Sequence, residues 1–358
     1  MGEIYCNGYG VKKDYLRTKE YYELSSKQGN SEAFLRLGTL HFNGFGVKQD
    51  YLIAKEYFEI SANKNNPDAL YNLGEMYYNG QGVEQDYLKA SEYYELSTRQ
   101  GNSDAPLKLG NLYLNGNGVK QDYSKVIEYY ELAFYRNNPD APFYLAEFYS
   151  DGFTFNADIP KAIQYYQKSI EIHYDKIKTF SNMDSFYTLK NIYNRYFYHS
   201  NNNLCLIYIT IFNDIDKATP FIKEAAFGEY PFGQNNFGLL NGIYFNNIEN
   251  AEYMYLRSSK NKFAFAEFNL GYLKEKNGKI DDSIEHYLKA SEYEDFPLIF
   301  HNRQHNDKRL EISKIFIMCF TNLKLTEYFF VQGNFIESKK YFVKSFAKLN
   351  NNNESIQI

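Results

Sequence analysis

Glycine-rich segments ahead of predicted helices are the first residues of this sequence that could do chemistry. One of them reads NGQGVEQDYLKA and occupies residues 79–90. A Gly-x-Gly turn that runs into a helix can bind a phosphate group, because the free N–H groups of a helix N-terminus attract anions. The same segment could also be a plain connector between two helices. The first interpretation predicts an enzyme, whereas the second predicts architecture alone.

The segment is one copy of a repeat, which favours the connector. Similar segments begin at Asn7, Asn43, Asn79 and Asn115, at intervals of 36 residues, and an eroded fifth copy keeps Gly152 in phase. A nucleotide-binding loop occurs once or twice in a chain. No copy carries the Lys-Ser/Thr of a P-loop or a complete G-x-G-x-x-G motif. The repetition therefore predicts a structural role for these glycines.

Two other groups of residues have types that bind metals or transfer protons. His301 and His305 lie four residues apart with Asp307 beyond them, a spacing that can hold a metal ion on a helix. The surrounding sequence, IFHNRQHNDKR, is more typical of a solvated loop or a first helical turn. Asp281 and Asp282 could form a carboxylate pair, but a helix cap explains them better. We therefore predict no catalytic, cofactor-binding or metal-binding residues, and no cofactor.

The composition narrows the classes of partner. The chain has 358 residues, a formal net charge of −5 and a pI of about 5.8, so it lacks the basic excess of nucleic-acid-binding proteins. Its longest apolar run, CLIYITIF at residues 205–212, is too short to span a bilayer. The chain has 37 Tyr and 30 Phe but no Trp. Tyrosine suits half-buried positions, where its ring is buried and its hydroxyl reaches a polar partner.

Three scattered cysteines, Cys6, Cys205 and Cys319, form neither a disulfide framework nor a metal site. A small, odd number of cysteines is typical of proteins from a reducing compartment. We therefore expect a cytoplasmic location.

Residues 66–101 indicate what one repeat builds. Asn66 is a good N-cap, and the helix that follows it should end at Gly80. Asp86 should cap a second helix that ends at Gly101. Each repeat is therefore predicted to be a pair of helices joined by the glycine-rich connector.

One face of each predicted helix is apolar, at a spacing near 3.6 residues. These faces consist of Leu70, Leu73, Gly74 and Tyr77 in the first helix and of Ala90, Tyr93, Tyr94 and Ser97 in the second. Gly74 and Ala90 are small, as expected where two helices approach closely. One repeat cannot bury its apolar face alone, but stacked repeats can.

These residues resemble Sel1-like repeats, which are related to tetratricopeptide repeats. The resemblance rests on residues distributed over the whole unit: Ala69, Leu73-Gly74, Tyr77, Asn79-Gly80-Gln81-Gly82-Val83, Asp86, Lys89-Ala90 and Gly101-Asn102. It implies an all-α fold, a right-handed α-solenoid (superhelix) of helix-turn-helix repeats, with about eight to nine units.

The repeat phase predicts the organisation of the chain. We expect Sel1-like repeats over 1–172, with an incomplete first unit, and an irregular helical insertion over 173–203. Degenerate Sel1- or tetratricopeptide-like repeats should occupy 204–295, with second helices opening near Ala218, Ala251 and Ser283. A C-terminal helical cap over 296–349 and a disordered tail over 350–358 would follow. Met1 aligns with the middle of a first helix, so we expect truncation at the N-terminus.

The resemblance also implies a function. Sel1-like proteins commonly hold other proteins together, so we expect a non-catalytic scaffold or adaptor that binds proteins or peptides, for example in signalling, and that is able to homodimerise. The alternatives are a regulatory repeat region of a larger protein, such as a protein kinase, and an adaptor in endoplasmic-reticulum-associated degradation. A β-lactamase-like hydrolase is a further alternative, although such relatives are cysteine-rich.

Three rows of residues on the first helices are candidates for partner binding, because they lie off the packing face and on the side that lines the concave surface of tetratricopeptide-like arrays. The rows are Leu35, Tyr71, Leu107 and Phe143; Thr39, Glu75, Asn111 and Glu147; and Phe42, Tyr78, Leu114 and Ser150. Two apolar rows flank a polar row, which predicts a groove for a peptide or helix. The alternative is that neighbouring repeats bury these side chains.

Overall fold

A computed structural model describes residues 1–150, 157–180, 187–228 and 230–293 of the chain, and all the regular structure in these ranges is α-helical. The chain forms two compact units, Met1–Ser169 and Ile170–Ile358. The all-α, helix-turn-helix architecture expected from the sequence is confirmed. The expected cap at 296–349, the tail at 350–358 and the residues His301, His305 and Asp307 lie outside the described residues.

The first unit contains five helical pairs, in which we call the first member helix A and the second helix B. The pairs are α1 (Gly2–Asn7) with α2 (Tyr15–Ser26), α3 (Ser31–Asn43) with α4 (Tyr51–Ala62), α5 (Pro67–Asn79) with α6 (Tyr87–Arg99), α7 (Ala105–Asn115) with α8 (Tyr123–Tyr135), and α9 (Ala141–Ser150) with α10 (Ile159–Phe180). Helix α10 continues past the boundary between the two units.

The described part of the second unit contains three further pairs. These are α11 (Tyr187–Thr210) with α12 (Ile215–Phe227), α13 (Pro231–Ile243) with α14 (Ile248–Ser259), and α15 (Ala264–Lys276) with α16 (Ile280–Glu292). The residues at which second helices were expected, Ala218, Ala251 and Ser283, lie in α12, α14 and α16. Asp281 and Asp282 lie in the first turn of α16, where their negative charge favours the helix N-terminus.

The glycine-rich connectors are packed joints between repeats. Gly80 has a φ of +69° and ends α5 in the left-handed conformation, as a glycine C-cap does. Gly82 lies against Tyr51 of the preceding repeat, and a Cβ atom at Gly82 would lie 2.6 Å from the Cβ of Tyr51. At the start of α6 the carboxylate of Asp86 accepts the N–H of Lys89 at 3.0 Å. A carboxylate therefore occupies the place where a phosphate group would sit.

In six of the eight described pairs, a glycine of helix A lies under an aromatic ring of helix B. A Cβ atom added to Gly74 would lie 2.6 Å from the ring of Tyr94, so no larger residue fits without displacing the ring. The same contact joins other pairs: Gly38 with Phe58, Gly110 with Tyr130, Gly238 with Tyr255, and Gly271 with Tyr287. The close approach of the two helices buries the ring of Tyr94 completely.

Asparagine caps link successive A helices. The Oδ1 atom of Asn102 accepts the N–H groups of Asp104 and Ala105 at 2.8 and 2.7 Å, while its Nδ2 donates to Oδ1 of Asp68 at 2.7 Å. Asn138 makes the same link to Asp104, at 2.6 Å. One side chain thus satisfies the orphan N–H groups of its own helix and holds the preceding helix in register.

Replacing Gly74 by Ala should lower the free energy of unfolding by about 1–3 kcal/mol, because the new methyl group overpacks the joint with Tyr94. Urea unfolding followed by circular dichroism measures this change.

The matched control is Gly242→Ala, also inside an A helix. Its Cβ would lie 3.6 Å from the Cβ of Ala251, an ordinary contact. This variant should be neutral or gain up to about 1 kcal/mol, because alanine favours the helix. Equal effects of the two substitutions would contradict the proposed role of the ring contact.

Candidate interaction surface

The structure divides the predicted rows into buried and half-buried residues. The buried members, with at most 9% of each residue exposed, are Leu35, Leu107, Asn111, Leu114, Phe143 and Glu147. The half-buried members are Thr39, Phe42, Tyr71, Glu75, Tyr78 and Ser150. Only the half-buried group has side-chain surface that a partner could touch without opening the array.

The middle, polar row accepts hydrogen bonds from the buried phenols of helix B. The hydroxyl of Tyr94 donates to Glu75, and the hydroxyl of Tyr130 donates to Oδ1 of Asn111 at 2.6 Å. Tyr166 donates in the same way to Glu147. Buried phenols need such acceptors, since an unpaired buried hydroxyl destabilises the fold.

Sequence reasoning missed this pairing, although a signal was present. In the repeat where helix B carries Phe58, which has no hydroxyl, the middle row carries Thr39 in place of an acidic or amide residue. Thr39 instead donates its hydroxyl to the carbonyl of Leu35 at 3.0 Å. Within residues 1–172, the middle row carries an acidic or amide residue where the ring has a hydroxyl and a threonine where it does not.

Glu75 joins three helices rather than facing solvent freely. Lys108 of α7 lies with its Nζ 2.9 Å from Oε1 and 3.0 Å from Oε2 of Glu75. Burial, together with the nearby negative charge of Glu75, raises the pKa of Tyr94 far above its ordinary value, so the phenol remains a donor. Because Lys108 neutralises it, Glu75 presents little net charge to a partner.

A cleft of about 290 Å³ opens between α3 and α5. It is lined by residues of both helices, of α4 and of the connector: Thr39, Phe42, Asn43, Phe58, Tyr71, Asn72, Glu75, Asn79 and Gln81. Four of the predicted candidates, Thr39, Phe42, Tyr71 and Glu75, are therefore brought together in one place.

The cleft exists because two of its lining side chains are small. Asn72 occupies the position that Arg36, Lys108 and Tyr144 occupy in neighbouring repeats. Thr39 likewise replaces a longer acidic or amide side chain. Two lining residues of the cleft are thus shorter than their counterparts in neighbouring repeats.

The lining of the cleft combines aromatic rings with amide groups. The ring of Phe42 lies 5.2 Å from that of Tyr51 and 6.3 Å from that of Phe58, measured between centroids. The side chains of Asn72 and Gln81 form no hydrogen bond with any residue that the structure describes. Their amides can therefore pair with main-chain groups of an extended peptide.

The family model for the Sel1 repeat matches five consecutive segments, residues 1–30, 31–66, 67–102, 103–138 and 139–172. Residues 1–172 are an array of Sel1 repeats. Proteins with these repeats are typically protein-interaction scaffolds, and the fold is typically non-catalytic.

Two solved structures share this fold. A Sel1 repeat protein from Oxalobacter formigenes has 25% sequence identity and a TM-score of 0.51, over 63% of this chain and 84% of its own. The protein c5321, a protective antigen of uropathogenic Escherichia coli strains, has 22% identity and a TM-score of 0.52, over 100% of this chain and 78% of its own. No protein of curated function matches the chain significantly.

In the second unit, amide side chains of the A helices bind one another. The Nδ2 of Asn269 donates to Asn235 at 2.9 Å, and that of Asn235 donates to Asn236 at 3.4 Å. The chain of bonds continues from Asn236 to Asn202 at 2.8 Å and from Asn202 to Asn203 at 3.2 Å. These bonds tie α15, α13 and α11 together, as the asparagine caps tie the helices of the Sel1 array.

One cluster in the second unit contains the residue types of a hydrolase but not their arrangement. The hydroxyl of Ser259 donates to Oε1 of Glu267 at 2.5 Å, while Nδ1 of His286 lies 2.7 Å from Oε2. A catalytic triad places the histidine on the serine and the acid behind it. Here the buried carboxylate lies between them, so His286 cannot take the proton of Ser259.

The described part of the chain contains neither a candidate metal site nor a candidate membrane-spanning helix. No group of His, Cys, Asp and Glu side chains within the described ranges could hold a metal ion. None of the described helices combines the length and apolarity needed to cross a bilayer.

Replacing Tyr94 by Phe should lower the free energy of unfolding of the Sel1 array by about 1.5–3 kcal/mol, the usual contribution of a hydrogen bond to a charged group. Urea unfolding measures this loss. The matched control is Tyr253→Phe, because Tyr253 is 55% exposed and its hydroxyl forms no hydrogen bond with the described residues. A Tyr94→Phe variant as stable as the control would show that the phenol–carboxylate bond contributes nothing.

The Glu267–His286 pair should make the second unit acid-sensitive. Burial alone would raise the pKa of Glu267, but hydrogen bonds from His286 and Ser259 hold it below its ordinary value of 4.5. A group whose pKa is lowered in the folded state stabilises the fold at pH values above about 4.5. This stabilisation is lost as the pH falls through the lowered pKa. Between pH 7 and pH 3.5, Glu267→Gln should therefore lose less stability than the parent chain.

Urea midpoints at the two pH values measure this difference. Glu249→Gln is the control, because Glu249 is exposed in the first turn of α14, in the same unit. A Glu267→Gln variant whose midpoint falls with pH as steeply as that of the parent would disprove the assignment.

Proposed function

We propose that this protein is a non-catalytic scaffold that binds a segment of another protein in the cleft between α3 and α5. The cleft is the observation that carries the proposal. It brings half-buried aromatic and amide side chains together at a place where smaller residues interrupt the repeat pattern. The typical role of Sel1 repeats as interaction scaffolds supports this function.

The size of the cleft favours part of a peptide over a cofactor. Pockets for small molecules and cofactors span about 300–1,000 Å³ and bury most of their ligand. The 290 Å³ between α3 and α5 suits one or two side chains of an extended segment. The ring of Phe42 would contact an apolar side chain, and the amides of Asn72 and Gln81 would pair with the main chain on either side.

The occupant should be selected by shape more than by charge. The carboxylate in the lining belongs to Glu75, which Lys108 already neutralises. A β-lactamase-like hydrolase would need a nucleophile activated by a base, and the Ser259 cluster does not supply that arrangement. We therefore favour the scaffold over the hydrolase.

We also propose a reducing compartment, in agreement with a cytoplasmic location. The thiols of Cys6 and Cys205 are free in the structure. Burial raises the pKa of Cys205 to about 12, so its thiol stays protonated and chemically inert.

Asn72→Lys should block the cleft without unfolding the array, because lysine already occupies the equivalent position at Lys108. Peptides selected by display against the purified chain should lose at least about tenfold in affinity for this variant, a change of about 1.4 kcal/mol. Fluorescence anisotropy measures the loss, and the melting temperature checks the fold.

The control is Asn63→Lys, which adds the same charge at an exposed position just after α4. Selected peptides should bind this variant as tightly as they bind the parent. Peptides that bind the Asn72→Lys variant with undiminished affinity would place their site elsewhere and overturn the assignment of the cleft.

A further inference from the structure

The B helices of the first three repeats carry exposed aliphatic residues at repeating positions. One row is Leu16, Leu52 and Leu88, exposed by 67%, 64% and 55%, and the other is Leu24, Ile60 and Leu96, exposed by 57%, 40% and 43%. Single exposed leucines are ordinary, but contiguous apolar patches of more than a few hundred Å² mark interaction sites. Packing within the array does not explain these rows, because the side chains lie outside it.

A row of acidic residues lies between the two apolar rows. Glu20, Glu56 and Glu92 are exposed, and each follows its first-row leucine by four residues and precedes its second-row residue by four. Residues four apart share one face of a helix, so each B helix presents an apolar, an acidic and an apolar side chain in succession. None of the three glutamates takes part in a salt bridge with any other residue that the structure describes.

The rows run across neighbouring helices. Tyr93 of α6 packs on the core cluster that contains Ala54 and Phe58 of α4, so successive B helices lie side by side. The two apolar rows are eight residues apart along each helix, which corresponds to about 12 Å. An α-helix with its side chains is about 10–12 Å in diameter. The strip between the rows therefore has the width of one helix.

The strip ends where its residues change. Ser124 takes the first-row position in α8, and Pro160 takes it in α10. A partner helix in the strip would therefore cross α2, α4 and α6.

We propose that the strip on α2, α4 and α6 docks an amphipathic helix of a partner protein, one that carries Lys or Arg residues between two leucine-rich stripes. Charge complementarity selects this occupant, because its cations would pair with Glu20, Glu56 and Glu92 while its leucines cover the two apolar rows. A second copy of this chain fits less well, since a symmetric contact would place one acidic row against another.

This surface is independent of the cleft in the proposed function. The cleft uses side chains of A helices, Phe58 and Gln81 of the connector, whereas the strip uses the outward residues of B helices. A protein with both surfaces could hold two partners at once.

A designed helical peptide of about 18 residues, with a lysine stripe between two leucine stripes, is the probe, and its counterpart has glutamate at every lysine. Fluorescence anisotropy with the full chain should show that the lysine peptide binds at least about tenfold more tightly than the glutamate peptide. Added salt should reduce this preference, because exposed ion pairs are screened.

Charge reversal at two of the acidic positions is the decisive variant. Glu56→Lys with Glu92→Lys should remove the preference for the lysine peptide and create one for the glutamate peptide. The control, Glu84→Lys with Glu249→Lys, changes net charge equally at exposed positions outside the strip and should keep the original preference. Equal binding of both peptides to the parent chain, or an unchanged preference in the charge-reversed variant, would overturn the proposal.

Two further measurements separate the alternatives. Leu52→Ser with Leu88→Ser removes exposed side chains, so the fold should be kept and the lysine peptide should bind at least about tenfold more weakly. Sedimentation of the free parent chain should give a monomer, and a dimer abolished by these serines would overturn the proposal in favour of a second copy. The Asn72→Lys variant should bind the lysine peptide as tightly as the parent chain does. The test of the strip therefore stands even if the cleft does not bind a peptide.

Discussion

The structure depends on one contact, the aromatic ring of a B helix lying on a glycine of its A helix. Tyr94 over Gly74 shows the consequences most clearly. The glycine lets the helices approach until the ring is fully buried, and the burial then obliges the phenol to find an acceptor. Glu75 supplies it and in turn binds Lys108 of the next repeat. A packing requirement inside one repeat thereby fixes a contact between two repeats.

The same chain of requirements helps to explain the cleft between α3 and α5. Phe58 makes the ring contact with Gly38 but has no hydroxyl, so the middle row needs no acceptor there and carries Thr39. The short Thr39, together with the short Asn72, leaves space at positions where other repeats carry longer side chains. Because Phe58 needs no hydrogen-bond acceptor, position 39 is free to carry a short side chain. The surface of the array can therefore differ there from that of the other repeats.

The sequence was sufficient for the fold because the fold rests on local, periodic signals. Caps such as Asn66 and Asp86, the left-handed Gly80 and the small Gly74 are each readable from residue type and position. The candidate rows could not be divided from sequence alone, because Leu107 and Phe143 have the same apolar character as Phe42. The buried and half-buried residues differ in how far the neighbouring repeats cover their side chains. The phenol–carboxylate pairs were readable only by comparing position 39 with position 58 across repeats.

Placing two unlike surfaces on one short array has a mechanical consequence. The α3–α5 cleft lies in the second and third repeats, and the α2–α4–α6 strip lies in the first three. Asn66 of the third repeat binds Glu32 of the second, and this link, with the ring contacts inside each repeat, leaves little freedom between the two surfaces. Partners held by a rigid element meet at a fixed distance and orientation, so their mutual effective concentration is set by the repeat spacing rather than by a flexible linker. If both surfaces are occupied, the adaptor role follows from the geometry of the first three repeats.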